Sequence, residues 1–318
     1  MKGAFLRLGL IAMAMGMASV ASATPAACDR ACLGKALDNF LGAVVAHDPS
    51  RVPLAIGFRQ TQNSVLTPAG GGAWATISAL GPLQRRYVDP AAGNAEFFGI
   101  ATDAGQPAIV SIRLHVAGGQ IGEAEWHIAH KGDPGITGKG SDVLFDPATL
   151  AANPPPQRVV PAAQRLPRDT LIAIVSSYFD ALTNGSGRTA LAHPGCKRFE
   201  NGFAVFGHPI SSGDPNDGYE GLSDCTSGYK GLRVATVAAR RYLLVDEEAQ
   251  VVVVSAVFVR KAGDARRRLH FMEMFGIDGG RIRTVHAAMF YPDPELPVPN
   301  WPPYDGNFPL VANPQPTK

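Results

Sequence analysis

An internal repeat constrains the fold of this chain more than any other feature. A stripe of apolar positions in residues 30–44 recurs at a constant offset of 138, in residues 168–182, with the i, i+3, i+4, i+7 spacing of a helix that buries one face. The same offset relates Gly57 to Gly195 and Asn63 to Asn201. Further along the chain the offset becomes 155, where Arg85-Arg86-Tyr87 recurs as Arg240-Arg241-Tyr242. It then becomes 161, where Gly118-Gly119-Gln120-Ile121 recurs as Gly279-Gly280-Arg281-Ile282. Because the order is kept while the offset only grows, the chain is a tandem duplication whose second copy carries insertions.

Each copy is predicted to form one long helix followed by an antiparallel sheet, which is an α+β fold. In the second copy the helix is expected at 169–183, and strands rich in Val, Ile and Phe are expected at about 233–245, 250–260, 266–277 and 281–290. We place the first domain at 28–131, a proline-rich linker at 132–166, the second domain at 167–291 and a proline-rich tail at 292–318. The tail is predicted to contain neither helix nor strand and to wrap around a surface of the protein or around a partner subunit.

Residues 1–23 have the pattern of a removable export signal. Lys2 and Arg7 precede an uncharged apolar run, and Ala21-Ser22-Ala23 forms a small-residue cleavage site. The apolar run is shorter than the ~20 residues that cross a membrane. We therefore expect cleavage after Ala23 and a periplasmic or secreted protein that is not held in a membrane.

The charge of the exported chain is balanced. Without Lys2 and Arg7, 27 basic residues face 27 acidic residues. This balance argues against a nucleic-acid partner, because binding to phosphates depends on a basic face. With 46% apolar and only 18% charged residues, the composition is typical of a folded chain and not of a disordered one.

Four cysteines remain after cleavage: Cys28, Cys32, Cys196 and Cys225. In an oxidising compartment an even number predicts two disulfides, and three pairings are open. Cys196 with Cys225 is the favoured pair because it would close a loop rich in Gly, Ser and Asp. Cys28 and Cys32 lie four residues apart at a helix start, so their mutual bond requires a distorted turn. Neither a C-x-x-C motif nor a matching histidine spacing indicates zinc, and no metal is predicted.

Several segments carry a family resemblance. The helix LIAIVSSYFDAL, the final hairpin EMFGIDGGRIRTVHA and the first-copy segment HVAGGQIGEAEW resemble the NTF2-like (SnoaL-like) superfamily. The segments CDRACL, AHDPSRVPLA, CKRFENG and RRYLLVDEE are similar to a secreted, mostly fungal family of tandem NTF2-like proteins. The resemblance spans residues 28–291 and implies two cone domains, each a long helix packed on a curled sheet around a pocket. It implies little about the reaction, because the superfamily contains cyclases, isomerases, dehydratases, lyases and binding modules.

Strand alternation suggests a catalytic pair in the second copy. Phe271, Glu273 and Phe275 share one face of their strand, and a two-residue turn at Gly279-Gly280 would place Glu273 opposite His286. A carboxylate that orients an imidazole suits a general base. The alternative is a structural ion pair, or a pair displaced to solvent by a β-bulge.

The duplication provides an internal comparison for this site. The residues equivalent to Glu273, His286, Arg198 and Glu200 are Ile112, Glu125, Gln60 and Gln62. The second copy is thus the more polar one and the better candidate for activity. Further candidate substrate-binding residues are Tyr178 on the buried helix stripe, Arg241, Asn201, Phe271 and Phe275. A tyrosine in this position is more often a core residue, Arg241 could instead pair with Glu200 or Glu273, and Asn201 could simply hold a turn.

These features lead to three functional hypotheses. The first is an exported, cofactor-independent acid–base enzyme of lyase, isomerase or dehydratase type, acting on a small apolar or aromatic molecule; by resemblance, retro-aldol release of formaldehyde fits this chemistry. The second is a non-catalytic binding protein. The third is an interaction module that buries Val251–Val254 and the Met272/Met274 face between domains or in a homo-oligomer. No G-x-S-x-G, H-E-x-x-H, P-loop or dinucleotide motif is present, so no cofactor is predicted.

Overall fold

The two copies of the repeat fold into two six-stranded curled sheets with the same strand order. The computed structural model describes residues 28–206 and 223–304. The first domain comprises α1 (Arg30–Val45), β1 (Leu54–Gln62), β2 (Val65–Leu66), α2 (Ala73–Thr76), β3 (Ile77–Asp89), β4 (Asn94–Asp103), β5 (Gln106–Ala117) and β6 (Gln120–His130). After α3 (Pro147–Ala152), the second comprises α4 (Arg168–Asn184), β7 (Ala192–Glu200), β8 (Phe203–Ala204), β9 (Val234–Asp246), β10 (Val251–Arg260), β11 (Leu269–Asp278) and β12 (Arg281–Phe290). The predicted export signal lies outside the described residues.

The sheet orders are β2-β1-β6-β5-β4-β3 and β8-β7-β12-β11-β10-β9. The pairs β1–β6 and β7–β12 are parallel, and the other neighbouring strands are antiparallel. The predicted α+β class and the four predicted strands of the second copy are confirmed to within a few residues.

The two long helices begin and end for identifiable reasons. Asp29 caps α1 by accepting a hydrogen bond from the Cys32 amide at 2.8 Å. The second long helix, α4, follows Pro167 and ends at Gly185, which takes the left-handed conformation with φ 66°. In both helices the repeated apolar stripe is buried against the concave face of the sheet that follows.

Strand register confirms the offset of 161 between the copies. Ile112 on β5 pairs with Trp126 on β6, and their counterparts at this offset, Glu273 on β11 and Ala287 on β12, pair in the same way. The parallel pairs repeat as well, with Gln62 beside Trp126 and Glu200 beside Ala287. The offset of 155 for the arginine segment is wrong by one residue, since Arg85 pairs with Phe98 and its counterpart Arg241 pairs with Ser255.

A β-bulge overturns the predicted register of the final hairpin. Ile277 pairs with Ile282 as the two-residue turn requires, but the next pair is Gly276 with Thr284. Arg283 is the extra residue, which shifts every later pair by one position. Gly276 accommodates this close approach, because a Cβ atom there would lie 2.7 Å from the Thr284 hydroxyl.

The shift separates the predicted catalytic pair. Glu273 lies opposite Ala287, while His286 lies opposite Met274. Since neighbouring residues of a strand face opposite sides, Glu273 points into the second domain and His286 points away from it. The predicted Glu273–His286 dyad is therefore wrong.

The outer faces of the two sheets pack against each other. Their contact forms an apolar core between the domains, to which the connecting helix α3 adds Leu150. The other buried members are Leu83, Tyr87, Phe98, Ile100 and Ile109 of the first domain, and Leu243, Leu244, Ala249, Val251, Val253, Met272, Met274 and Ala288 of the second. The predicted burial of the Met272/Met274 face between domains is confirmed, and this packing is intramolecular.

The interface between the domains is pseudo-symmetric. Arg30 pairs with Asp246 at 2.6 Å, and Arg168, the counterpart of Arg30 in the second copy, pairs with Asp89 at 2.6 Å. Each carboxylate also accepts a hydrogen bond from a backbone N–H of the opposite domain. Val88 N–H donates to Asp246, and Val245 N–H donates to Asp89. Reciprocal contacts of this kind are typical of a two-fold dimer interface, here formed within one chain.

The linker and the tail are more ordered than their proline content predicts. Asp146 caps α3 by accepting a hydrogen bond from the Thr149 amide at 2.9 Å. The tail residues up to 304 return to the first domain, where Trp301 is buried and donates to the Thr61 hydroxyl at 2.9 Å. No helix within residues 28–206 and 223–304 is both long and apolar enough to cross a bilayer.

Candidate functional site

A polar cluster lies inside the second domain, between α4 and the concave face of its sheet. Arg198 on β7 reaches the Tyr178 hydroxyl on α4 at 3.4 Å and the Cys225 carbonyl oxygen at 3.5 Å. Tyr229 donates its hydroxyl hydrogen to the same carbonyl at 2.8 Å. Two phenols and one guanidinium thus converge on a single region of an otherwise apolar interior.

Glu273 completes this cluster from β11. Only 4% of the residue is exposed, and Oε2 has no hydrogen-bond partner within residues 28–206 and 223–304. Burial raises the pKa of Glu273 to about 8, and the carboxylate of Glu200 adds to the rise while Arg198 opposes it. Glu273 is therefore a carboxyl group that gains or loses its proton close to neutral pH.

The charge of Arg198 is balanced within the cluster. Its Nε lies 3.3 Å from Oε1 of Glu200, which is the less buried partner. Tyr178 stays protonated, because burial raises the pKa of its hydroxyl group. The cluster therefore presents a permanent cation, a phenolic O–H and a titratable carboxyl group to the same interior.

The first domain fills the equivalent interior with aromatic rings. Trp74 and Trp126 both donate their indole N–H to Oε1 of Gln60, at 2.7 and 3.2 Å. Phe40 packs edge-on against Trp74, with ring centroids 4.9 Å apart. This interior is thus apolar and internally satisfied.

The two interiors differ at the same structural positions. The second domain has Tyr178 for Phe40, Arg198 for Gln60, Glu273 for Ile112 and Ala287 for Trp126. From the first domain to the second, a phenylalanine is replaced by a tyrosine, an isoleucine by a glutamate and a neutral glutamine by an arginine. The indole of Trp126 is replaced by the methyl group of Ala287. The second copy therefore has a polar interior where the first copy has an aromatic core.

His286 lies in the contact between the domains. Its Nε2 is 2.9 Å from the Asn153 carbonyl oxygen, and its ring stacks on Phe199 at 4.8 Å. Burial lowers the pKa of His286 to about 4, so the ring is neutral near pH 7 and Nε2 donates to the carbonyl. This geometry gives His286 a structural role.

Arg241, a predicted substrate-binding residue, also lies outside the cluster. It forms an ion pair with both carboxylate oxygens of Glu125 across the domain interface and reaches the Ser255 hydroxyl at 3.1 Å. The adjacent Arg240 is the residue on the helix side, where it pairs with Asp180 at 2.7 Å.

The remaining predicted site residues have packing contacts. Phe275 lies beside the cluster, 5.2 Å from the Tyr178 ring, whereas Phe271 packs one layer further away against Phe258. The side-chain amide of Asn201 forms hydrogen bonds with both the N–H and the C=O of Met289, and so ties the end of β7 to β12. The structure thus brings Tyr178, Arg198, Glu200, Glu273 and Phe275 together.

The predicted disulfide between Cys196 and Cys225 is confirmed, and a second one joins Cys28 to Cys32. The Cys225 carbonyl oxygen accepts hydrogen bonds from the cluster, so this disulfide fixes one wall of the site to β7. Tyr229, which follows Cys225 closely in the chain, was not predicted as a site residue. Two disulfides indicate an oxidising extracellular environment.

A second group of polar side chains lies between the domains. Ligand atoms of Glu125, His127 and His270 are all within 4.8 Å of one another, a donor set that can hold a metal ion. However, Arg241 occupies both oxygens of Glu125, and the two ring nitrogens of His270 lie 2.9 and 3.0 Å from serine hydroxyls. The donors fit a hydrogen-bonded contact between domains better than a metal centre.

Comparisons with known proteins cover less than half of the chain. A family model described as a domain of unknown function (DUF8021) matches residues 164–289. No curated protein matches the chain. The chain is similar to a protein of unknown function with a cystatin-like fold from Methylobium petroleophilum PM1, with 15% identity and a TM-score of 0.29 over 41% of this chain and 82% of that chain. It is also similar to AusH from Aspergillus nidulans, with 14% identity and a TM-score of 0.27 over 39% of this chain and 85% of that chain. The family model covers the copy that carries the polar cluster.

Proposed function

We propose that the second domain is the active site of a cofactor-independent acid–base enzyme whose proton-transfer group is Glu273. The observation that carries the proposal is a buried carboxyl group with a pKa of about 8 beside Arg198 and Tyr178. A group that titrates near the working pH can both take and return a proton. Copy one, with Ile112 at this position, is the inactive counterpart.

The chemistry follows from the three groups. The carboxylate of Glu273 removes a proton from a carbon next to a carbonyl group, and the electron pair moves onto the carbonyl oxygen. Arg198 and the hydroxyl of Tyr178 stabilise the negative charge that develops there. Protonated Glu273 then returns its proton to another carbon, which is an isomerisation, or to a leaving oxygen, which is an elimination.

The interior favours a small apolar or aromatic substrate with a carbonyl or related oxygen. Apolar walls surround the cluster, with Phe179 and Phe275 5.5 Å apart and Phe275 beside Tyr178. We assign both domains to the NTF2-like superfamily and the protein to an exported location. The support is the repeated helix-and-curled-sheet order, the quoted sequence segments, the two disulfides and the pattern of residues 1–23.

A binding protein is the second candidate function. Arg198 is already neutralised by Glu200, and the same arrangement would hold the polar end of an apolar ligand without any reaction. The two functions differ in one property, because only the enzyme moves a proton of its ligand.

Proton exchange with solvent tests the proposal without knowledge of the product. The full chain is incubated in D2O with a panel of small aromatic ketones and β-hydroxy ketones, and loss of the α-proton signal is followed by NMR. We expect exchange above the buffer rate for at least one compound, rising with pH and levelling above the Glu273 pKa of about 8, because the base must be ionised. Binding of the same compounds without exchange would favour the binding protein, and neither binding nor exchange would contradict both.

A further inference from the structure

The three fully buried histidines of residues 28–206 and 223–304 all lie in the contact between the domains. They are His127 on β6, His270 on β11 and His286 on β12, and at most 1% of each residue is exposed. The residues on either side of them in their strands belong to the two apolar cores under the helices, so the three rings point out of those cores. Acid can therefore act on the domain contact without titrating a histidine inside either core.

Two of these rings meet across the contact. The ring centroids of His127, from the first domain, and His270, from the second, lie 4.4 Å apart, and both rings pack edge-on against Phe290. Nδ1 of His127 lies 3.4 Å from the Ala288 carbonyl oxygen. Protonation of both rings would bring two positive charges together in an apolar interior, where their repulsion is poorly screened.

A chain of hydrogen bonds holds His270 in its neutral form. Ser64 donates to the Pro299 carbonyl oxygen at 3.2 Å, so it accepts from Nδ1 of His270 at 2.9 Å. Ser255 accepts from Arg241 at 3.1 Å, which leaves its hydrogen for Nε2 of His270 at 3.0 Å. A second proton on His270 would have to occupy Nε2 and would displace the hydrogen of Ser255.

Glu125 does not offset the charge that His127 would gain. Its Oε1 lies 3.9 Å from Nε2 of His127, but Glu125 already pairs with Arg241 and with Arg113. Two cations and one carboxylate leave an excess of positive charge beside His127. Burial lowers the pKa of His127 to about 4, a shift that Glu125 opposes and Arg241 reinforces.

Arginines also act on the other two rings. Arg241 and Arg268 lie near His270, and Arg85 lies near His286. Burial, reinforced by these cations, lowers the pKa of His270 well below its ordinary value and that of His286 to about 4. All three rings are therefore neutral when the domains are in contact at neutral pH.

We propose that these histidines make the domain contact an acid-sensitive switch, in which their protonation separates the two domains while each domain keeps its own core. A solvated histidine binds a proton at about pH 6.5. Between about pH 6.5 and pH 4 the separated form therefore takes up protons that the closed form does not, and the closed form loses stability as the pH falls through this range. This device does not depend on the chemistry of Glu273.

One carboxyl group of the contact acts in the opposite direction. Burial raises the pKa of Glu96 to about 8, so acid protonates it in the closed form first and favours that form. From pH 7 to pH 5 the three histidines each favour separation by about 20-fold, and Glu96 returns about 70-fold. The net expected shift toward the separated form is about 10²-fold.

Two backbone amides report this opening directly. The N–H groups of Val88 and Val245 each donate to an aspartate of the opposite domain, so they exchange with solvent when the contact opens. Hydrogen exchange of the full chain is followed by NMR from pH 7 to pH 5, with each rate divided by that of an unfolded peptide. We expect the protection of both amides to fall about 10²-fold. Val110 and Val254, in central strands of the two sheets, should stay more protected at every pH.

Variants assign the fall to the histidines. In the triple variant His127→Gln, His270→Gln and His286→Gln, the amides keep hydrogen-bonding groups but do not titrate. We expect the protection of Val88 and Val245 to rise as the pH falls, because only the effect of Glu96 remains. His193→Gln, which removes a partly exposed histidine outside the contact, is the matched control and should leave the fall unchanged.

Three results would overturn the proposal. The first is wild-type protection at Val88 and Val245 that stays level or rises from pH 7 to pH 5, a result that needs no variant to fold. The second is the same fall in the triple variant as in the wild type. The third is equal protection of these amides and of Val110 and Val254, which would mean that the chain opens only as one unit.

Discussion

Replacement of Glu273 by glutamine is expected to slow the proton exchange by about 10²–10⁴-fold. The amide keeps the shape of the side chain but cannot take a proton, so substrate binding should change far less than the rate. Exchange rates and ligand affinity are measured on the same preparations by NMR.

The chain offers a closely matched control for this variant. Glu96 is also fully buried, and burial raises its pKa to about 8, but it lies between the sheets and accepts a hydrogen bond from Ser111. Glu96→Gln removes an equivalent buried carboxyl group outside the site and should leave the exchange rate unchanged. Equal losses in both variants would assign the effect to the fold, and full activity of Glu273→Gln would remove Glu273 from the mechanism.

The second large effect is expected in the first domain. Trp126→Ala should lower the free energy of unfolding by about 3–5 kcal/mol, because the indole fills the space between Phe40 and Gln60 and a cavity would remain. Denaturant unfolding of the oxidised protein measures this change.

The reciprocal variant places the first-domain indole in the second domain. Ala287→Trp should abolish exchange and ligand binding, since the ring would enter the interior of the second domain between Glu273 on β11 and Glu200 on β7. A stable Trp126→Ala protein together with an active Ala287→Trp protein would contradict the contrast between the two interiors.

The repeat allowed much of this architecture to be predicted. Helical periodicity located α4, apolar runs located β9–β12, and the loop composition identified the Cys196–Cys225 bond. Comparison of the copies also identified the second domain as the polar one, with Arg198, Glu200 and Glu273 differing from their counterparts.

The orientation of individual side chains could not be predicted in the same way. A single extra residue, Arg283, reverses the facing of the rest of β12 and moves His286 to the domain interface. Its counterpart in the first copy is Gly122, which is the extra residue of the equivalent hairpin. A glycine inside a strand is a known mark of a bulge and was the signal available in the sequence.

Contacts between distant segments account for the other differences. Arg241 faces the first domain, and its pairing with Glu125 depends on how two sheets pack, which alternation within one strand does not reveal. Tyr229 lies in an insertion without a counterpart in the first copy, so comparison of the copies could not identify it.

The titration of Glu273 tests the central claim most directly. The side-chain carboxyl carbons of ¹³C-labelled protein are followed by NMR from pH 4 to pH 10, and the Glu273 signal is assigned by its absence from the Glu273→Gln variant. We expect a midpoint near 8, because burial and Glu200 disfavour the ionised form. A midpoint near the ordinary glutamate value of about 4.3 would show a solvated carboxylate and contradict the proposed proton-transfer site.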